Sequence, residues 1–439
     1  MKKLIVYIAL LAGFMTACKK EETEPATGQR PEERTAAALK KYQDALTGNK
    51  DGWIAYLYPD GGGGYSFYMT FSDSNRVNMI ADLSFDMAAD PMESSYKVRQ
   101  AISPALFFDT YNYMHVLADP DANQNGGVMG WGLYSDFEFS IDTLTTDSMT
   151  MHGNLNDSKM LMVKATAAQA AAFKAGGLKS ILMDMVNYTS VNQNLYLVLD
   201  GTTKVATSIN FATKAVTLTW VDDKGVVNSI ATPFATTLTG LTLKEPLVYN
   251  GKKITELLWD ADKQELYAMV DGQKVTVQVS ATPILPLHLL IGISYTDIII
   301  PYATTYPGWG SDFVTRRAAA STSMANGPYG LRMDRLQAMF NVDNSKVTFE
   351  LDIYQGSNKF IADFNYSYTK TADGVYTFTA AALSGNASLI GNDMAPLTKQ
   401  RLNVDHFTLD YYVDQGTGQV LGQFKDVENP DFTFTGTLN

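Results

Sequence analysis

Cys18 is the one cysteine in the 439-residue chain, and its surroundings suit one kind of chemistry. Lys2 and Lys3 come first, an apolar run covers residues 4–14, and Met15-Thr16-Ala17-Cys18 follows. A charged start, an apolar core and small residues before the cut mark a secretory signal. A cysteine directly after Thr-Ala makes this a lipobox, in which the thiol takes a diacylglyceryl group and becomes the new N-terminus. The apolar run is too short to span a bilayer, which takes about 20 residues as a helix. Lipidation at Cys18 is therefore expected. A lone thiol also excludes an intramolecular disulfide and any cysteine metal site.

Other side chains offer weaker chemistry. Asp119, Asp121, Asn123 and Asn125 place oxygens at alternate positions and end in Asn125-Gly126, as the first half of a calcium loop does. Gly132 stands where the bidentate glutamate belongs, and only a longer loop reaching Asp136 could replace it. The other reading is a polar turn built from the residues turns prefer. Asp82, Asp86, Asp136 and Glu138 could supply a carboxylate pair for glycoside hydrolysis. Asp136 and Glu138 alternate with Phe137 and Phe139, however, as one polar strand face does. His115, His152, His288 and His406 are far apart in sequence and could bind a metal only by meeting in space. No HExxH, G-x-S-x-G, P-loop or G-x-G-x-x-G motif is present. The 19 methionines read as flexible core filler. No cofactor is expected, and no catalytic residue is assigned.

Aromatic residues near turns are the remaining binding signal. Trp53, Tyr56, Tyr58, Tyr65 and Tyr68 flank a run of four glycines. Tyr302, Tyr306 and Trp309 crowd a proline-rich stretch over 283–317 that reads as a long irregular loop. Flat rings with a polar edge stack on sugars, haem or peptide, so Tyr302, Tyr306 and Trp309 are the candidate ligand contacts. Within that stretch, Gly308-Trp309-Gly310 echoes Gly130-Trp131-Gly132. Two related β domains would explain the echo, and so would chance.

These residues must be carried by a mostly β scaffold. A helix is expected over 31–47 and another after Thr166, kinked at Gly176-Gly177. Elsewhere the pattern alternates in short strands between turn signals: 53–58, 65–71, 77–83, 137–141, 148–152 and 160–164, then 195–199, 216–221, 265–270, 275–279, 347–354, 360–369, 407–413 and 432–438. Such spacing argues for two antiparallel β-sandwich or barrel-like domains with one or two short helices. The expected divisions are 1–17 signal peptide, 18–34 acylated N-terminus and tether, 35–187 N-terminal β domain with flanking helices, and 188–439 C-terminal β domain. With 46% apolar residues there is material for both cores. The formal charge is −12, without a basic cluster. That disfavours nucleic acid as a partner and leaves acyl chains, not charge, to hold the membrane.

Gly52-Trp53 leading to Tyr58-Pro59, the run from Leu106 to Asn112, His115 with Asp119-Pro120, and Ser135-Asp136-Phe137-Glu138-Phe139 together resemble a family of Bacteroidota lipoproteins of unknown function, domain of unknown function 4302. Gly153-Asn154-Leu155-Asn156 and residues 161–166 look similar as well. Lys20-Glu21-Glu22 resembles the lysine-plus-two-acids signal that sends such lipoproteins to the outer face of the outer membrane. The resemblance implies residence beside TonB-dependent transporters and their partner surface lipoproteins. It carries no activity, so no catalytic residue comes with it. The expectation is a surface-exposed outer-membrane lipoprotein that binds a glycan, haem or iron source, or assists its uptake, without catalysis. A carboxylate-dependent glycan hydrolase and a structural or adhesive surface protein are the alternatives.

Overall fold

The computed structural model describes residues 30–439. Cys18 and the Lys20-Glu21-Glu22 signal lie outside the described residues. The described residues divide into two compact units, 30–182 with 235–238, and 183–234 with 239–439.

The first unit opens with helix α1 (Pro31–Gly48), which carries Glu32 and Glu33 in its first turn, where the helix dipole favours negative charge. Eight strands then close into an antiparallel barrel in simple sequence order: β1 (Trp53–Tyr58), β2 (Tyr65–Phe71), β3 (Arg76–Ala81), β4 (Met92–Gln100), β5 (Pro104–Phe108), β6 (Glu138–Leu144), β7 (Ser148–Gly153) and β8 (Lys159–Lys164). β8 pairs back onto β1, with Ala55 opposite Met162. Alternation fills the inside, as an eight-stranded barrel requires. Met149 and Met151 of β7, and Met160 and Met162 of β8, point inward to join Trp53, Phe67, Phe108 and Phe139. α1 closes the end where β1 begins: Trp53 Nε1 donates to the Leu46 carbonyl (3.1 Å), and Gln43 Nε2 donates to the Tyr96 hydroxyl (2.7 Å). Two short helices, α2 (Tyr113–Leu117) and α3 (Ala122–Asn125), lie between β5 and β6. After β8 come α4 (Ala167–Lys174), capped by the Thr166 hydroxyl, and α5 (Gly177–Val191), with the expected break at Gly176.

The second unit carries a nine-stranded antiparallel sheet: β9 (Leu195–Val198), β10 (Lys204–Asn210), β11 (Ala215–Val221), β12 (Val227–Thr236), β13 (Gly240–Tyr249), β14 (Lys252–Asp260), β15 (Glu265–Val270), β16 (Gln273–Thr276) and β17 (Gln278–Val279). β16 pairs with β15 while β17 pairs with β9, and only Val277 separates the two. The two edges of the sheet are therefore successive stretches of one segment, and neither is left as a long open edge.

Helix α6 (Leu287–Leu290) leads into a second closed barrel. Its strands are β18 (Asp297–Ile300), β19 (Arg332–Asn341), β20 (Lys346–Gln355), β21 (Asn358–Lys370), β22 (Val375–Ala380), β23 (His406–Val413), β24 (Val420–Asp426) and β25 (Thr433–Leu438). Its core is aromatic where the first is methionine-rich: the rings of Phe349, Phe378, Phe407, Phe424 and Phe434 interlock, and Phe364 is buried in the same cluster. The stretch 283–317 is not one irregular loop. It contains α6, β18 and the start of α7 (Ser311–Asn326), which buries Phe313, Arg317, Ala320 and Met324 along one face. That spacing of four, three and four, with alanines at 318–320, outweighs the prolines upstream. A further short helix, α8 (Gly385–Leu389), lies between β22 and β23. The fold is mostly β, with barrel-like sheets and few helices.

Candidate functional site

In a closed meander alternate connections emerge at the same end. At the end of the first barrel away from α1, the β1–β2, β3–β4, β5–β6 and β7–β8 connections come together, and the β5–β6 connection is the longest. It is held rigidly. Asn112 caps α2, its Oδ1 accepting the Met114 N–H (3.0 Å) while its Nδ2 donates to the buried Ser94 hydroxyl (2.9 Å). Asn125 Nδ2 donates to the carbonyls of Val116 (2.8 Å) and Asp119 (2.9 Å), and its Oδ1 accepts the Gly127 N–H (2.8 Å). Val128 and Gly132 exchange backbone hydrogen bonds of 2.8 Å each way, and the Gly130 N–H reaches the Pro120 carbonyl (2.8 Å). A Cβ at Gly127 would run into the Gly132 carbonyl, so the two arms of this small loop touch. The glycine loop after β1 braces it from the side, where the Gly61 N–H meets the Leu133 carbonyl (2.9 Å).

The tip of this fixed loop is apolar and open to solvent. Met129 is 76% exposed and Trp131 60%, with Val128 beside them half-exposed. The Trp131 ring stacks on Tyr134 (5.7 Å between centroids). Leu155, on the β7–β8 connection at the same end, is 83% exposed. Tyr111 is exposed too. Its ring lies on His115 (5.6 Å), which lies on Phe137 (4.3 Å), and its hydroxyl donates to Asp119 Oδ2 (3.1 Å). Burial in this stack holds the His115 imidazole below its ordinary pKa. The β7–β8 connection is organised by Asp136, which is buried and accepts the N–H groups of Leu155 (2.8 Å), Asn156 (3.0 and 3.3 Å) and Ser158 (3.2 Å).

The residues singled out in sequence fall in different places. Asp119, Asp121, Asn123 and Asn125 form a turn around α3. Asp119 Oδ1 accepts the Asp121 N–H, Asp121 Oδ1 the Asn123 N–H, and Asn125 Oδ1 the Gly127 N–H, so these oxygens serve the loop itself. Tyr302, Tyr306 and Trp309 are not a common exposed face. Trp309 packs against the second core, with Nε1 donating to the Thr435 carbonyl (3.0 Å) and its ring edge-on to Phe313 (5.0 Å). Tyr306 leans on Trp309, and Tyr302, 56% exposed, lies under the Arg332 guanidinium (5.1 Å). Of the carboxylates, Asp82 is buried and accepts the N–H groups of Ser66 (2.9 Å) and Thr236 (2.8 Å). Asp86 faces Lys179 (3.6 Å) and Glu138 faces Arg99 (3.9 Å). The four histidines keep separate partners: His115 is in its stack, His152 meets Asp142 (2.6 Å), His288 lies against Gly374, and His406 meets Glu428 (2.6 Å). Sequence reasoning missed Met129 and Trp131 as exposed groups. The signal available was a bulky apolar pair inside a glycine-rich turn.

No curated protein matches the chain. Among solved structures, an octameric penicillin-binding protein homologue from Pyrococcus abyssi matches with 10% identity and a TM-score of 0.16, over 34% of this chain and 37% of that one. The chain thus spans little more than a third of that protein. Isotype 1 transferrin binding protein B from serogroup B Neisseria meningitidis matches with 10% identity and a TM-score of 0.14, over 88% of this chain and 76% of that one. Superpositions this loose carry no argument. The sequence is more informative: residues 24–261 match the family described as Domain of unknown function (DUF4302), and the chain belongs to that family.

Proposed function

We propose that this chain is a non-catalytic binding lipoprotein, anchored through Cys18 to the outer membrane and exposed at the cell surface. On this reading the loop end of its first barrel docks onto an outer-membrane partner of a nutrient-uptake system, a TonB-dependent transporter or one of its companion lipoproteins. One observation carries the reading, the apolar tip at Val128, Met129 and Trp131 held open to solvent by a rigid loop. Exposed apolar groups that cluster mark interaction sites, aromatic residues and Met are enriched in interface cores, and a rigid loop loses little entropy on docking. Binding is favoured over hydrolysis because Asp82, Asp86, Asp136 and Glu138 are each engaged with a different neighbour.

Site-specific photocrosslinking in intact cells tests this. A photoreactive phenylalanine analogue replacing Met129 should give an adduct with an outer-membrane β-barrel protein or a surface lipoprotein. The same analogue replacing Asp147, exposed at the opposite end of the barrel, should not. Equal yields at the two positions, or none at Met129, would refute the docking reading.

A further inference from the structure

The loop end of the second barrel holds a different constellation. Asp405 precedes β23, Asp426 ends β24, and Glu428 lies in the connection to β25. The pairing of Phe407 with Asp426 brings the two segments side by side. One carboxylate oxygen from each of the three residues lies within 4.8 Å of the others. Oxygens around a single calcium ion, each about 2.4 Å from it, sit no farther apart than about 5 Å. We infer that Asp405, Asp426 and Glu428 hold a divalent cation of the hard, oxygen-seeking class, calcium foremost.

The observation that lifts this above a chance acidic cluster is the state of Asp426. The residue is only 3% exposed. Its Oδ1 accepts the N–H groups of Glu428 (2.9 Å) and Asn429 (2.7 Å), which fixes the carboxylate in place. Its Oδ2 is buried and accepts no hydrogen bond. An ionised oxygen without a partner, out of water, is costly. A cation coordinated there removes the cost.

The neighbours are compatible with that role. Asp405 Oδ2 accepts from Asn429 Nδ2 (3.0 Å) and stands 3.6 Å from Arg401. Arg401 is shared with Asp312, at 2.9 Å, so it offsets only part of the charge of three carboxylates. Glu428 takes the backbone N–H of His406 on Oε2 (2.8 Å) and the His406 ring on Oε1 (2.6 Å). A carboxylate has about four acceptor positions, so these bonds orient the ligands and leave lone pairs free. Carboxylates that hold a metal are themselves held by hydrogen bonds from outside, and His406 holds Glu428 in that way.

Calcium titration of the purified full-length chain, followed by calorimetry and thermal melting, tests the inference. Saturable binding of one calcium per chain is expected, with a dissociation constant in the range of extracellular calcium modules, about 0.1–1 mM, and a rise in melting temperature at saturation. Asp426→Asn should abolish both effects, and Glu428→Gln should weaken binding at least tenfold. If Asp426→Asn fails to fold, Asp405→Asn and the half-exposed Glu428→Gln remain as readouts. Two results would overturn the site: no saturable binding of calcium, magnesium or manganese, or binding that the three substitutions leave unchanged. In the first case, the three carboxylates are an acidic cluster and nothing more.

Discussion

Asp136 gives the sharpest test of how the first barrel builds its loop end. Its carboxylate, buried, receives three backbone N–H groups of the β7–β8 connection. Hydrogen bonds to a charged acceptor are each worth roughly 1.5–3 kcal/mol. The full sum is not lost on substitution, because the exposed turn at Leu155 and Asn156 lets water replace the carboxylate there. Ser158 is buried, and its N–H has no such substitute. Asp136→Ala should therefore cost about 3–4 kcal/mol, a large share of the roughly 5–15 kcal/mol that holds a domain together. Asp136→Asn should cost less, about 2 kcal/mol. Its remaining oxygen can keep Leu155 and Asn156, but its amide group then faces the Ser158 N–H, donor to donor. Gly153→Ala should act like the alanine variant, since a Cβ there would collide with the Asp136 carboxylate.

Denaturant melts of the purified chain measure the stability. Amide hydrogen exchange at Leu155, Asn156 and Ser158 shows whether the loss is local. A cost below about 1 kcal/mol for Asp136→Ala, with exchange at these amides unchanged, would refute the reasoning. A hydrolase that used Asp136 would behave differently: Asp136→Asn would fold like the parent and lose turnover.

His115 supplies a pH dependence. Its imidazole is held low by burial, so the unfolded chain takes the proton first as pH falls. Its contribution is thus full above the ordinary histidine pKa of about 6.5 and is lost below it, and His115→Gln should flatten stability between pH 7 and 5 in denaturant melts. The effect is partial, because the ring keeps some contact with water. In the second barrel, Trp309→Ala should cost about 3 kcal/mol as a core truncation, while Tyr302→Ala should cost less than about 1 kcal/mol. Equal costs in thermal melts would mean that the assignment of Trp309 to the core is wrong.

The strands that sequence displayed plainly are those whose turns carry their own chemistry. Asp271-Gly272 joins β15 to β16 with both residues at positive φ, the geometry that this dipeptide favours in hairpins. β7 and β8 showed as short alternating runs between turn signals. The difficulty begins where the same local text has two fates. Gly130-Trp131-Gly132 and Gly308-Trp309-Gly310 read alike, yet Trp131 is open to solvent while Trp309 is seated on Thr435 and Phe313. They also occupy different places in their barrels, one after β5 and the other after β18, so the echo does not come from equivalent positions. Which tryptophan is covered depends on strands distant in sequence, and no window around either residue contains that information. The acidic cluster was hidden for the same reason: Asp405 and Asp426 meet only because β23 pairs with β24.

Both barrels use one plan. A helix precedes the first strand, packed side chains fill the interior, and elaborate connections gather at the end away from that helix. An interior already filled leaves no room for a ligand, so specificity has to be written in the connections, where backbone variation is tolerated. The first barrel uses its long connection for an apolar tip; the second uses its own for α7 and places three carboxylates, one of them buried, on other connections at the same end. The family match covers 24–261 and ends before β18 begins. Met129 and Trp131 fall within the matched span, and Asp405, Asp426 and Glu428 fall beyond it. The two proposals therefore rest on separate parts of the chain: removing the cation ligands should leave crosslinking at position 129 intact, and changing Trp131 should leave calcium binding intact. If either substitution abolished both properties, the two barrels would not be acting as independent carriers of their loops.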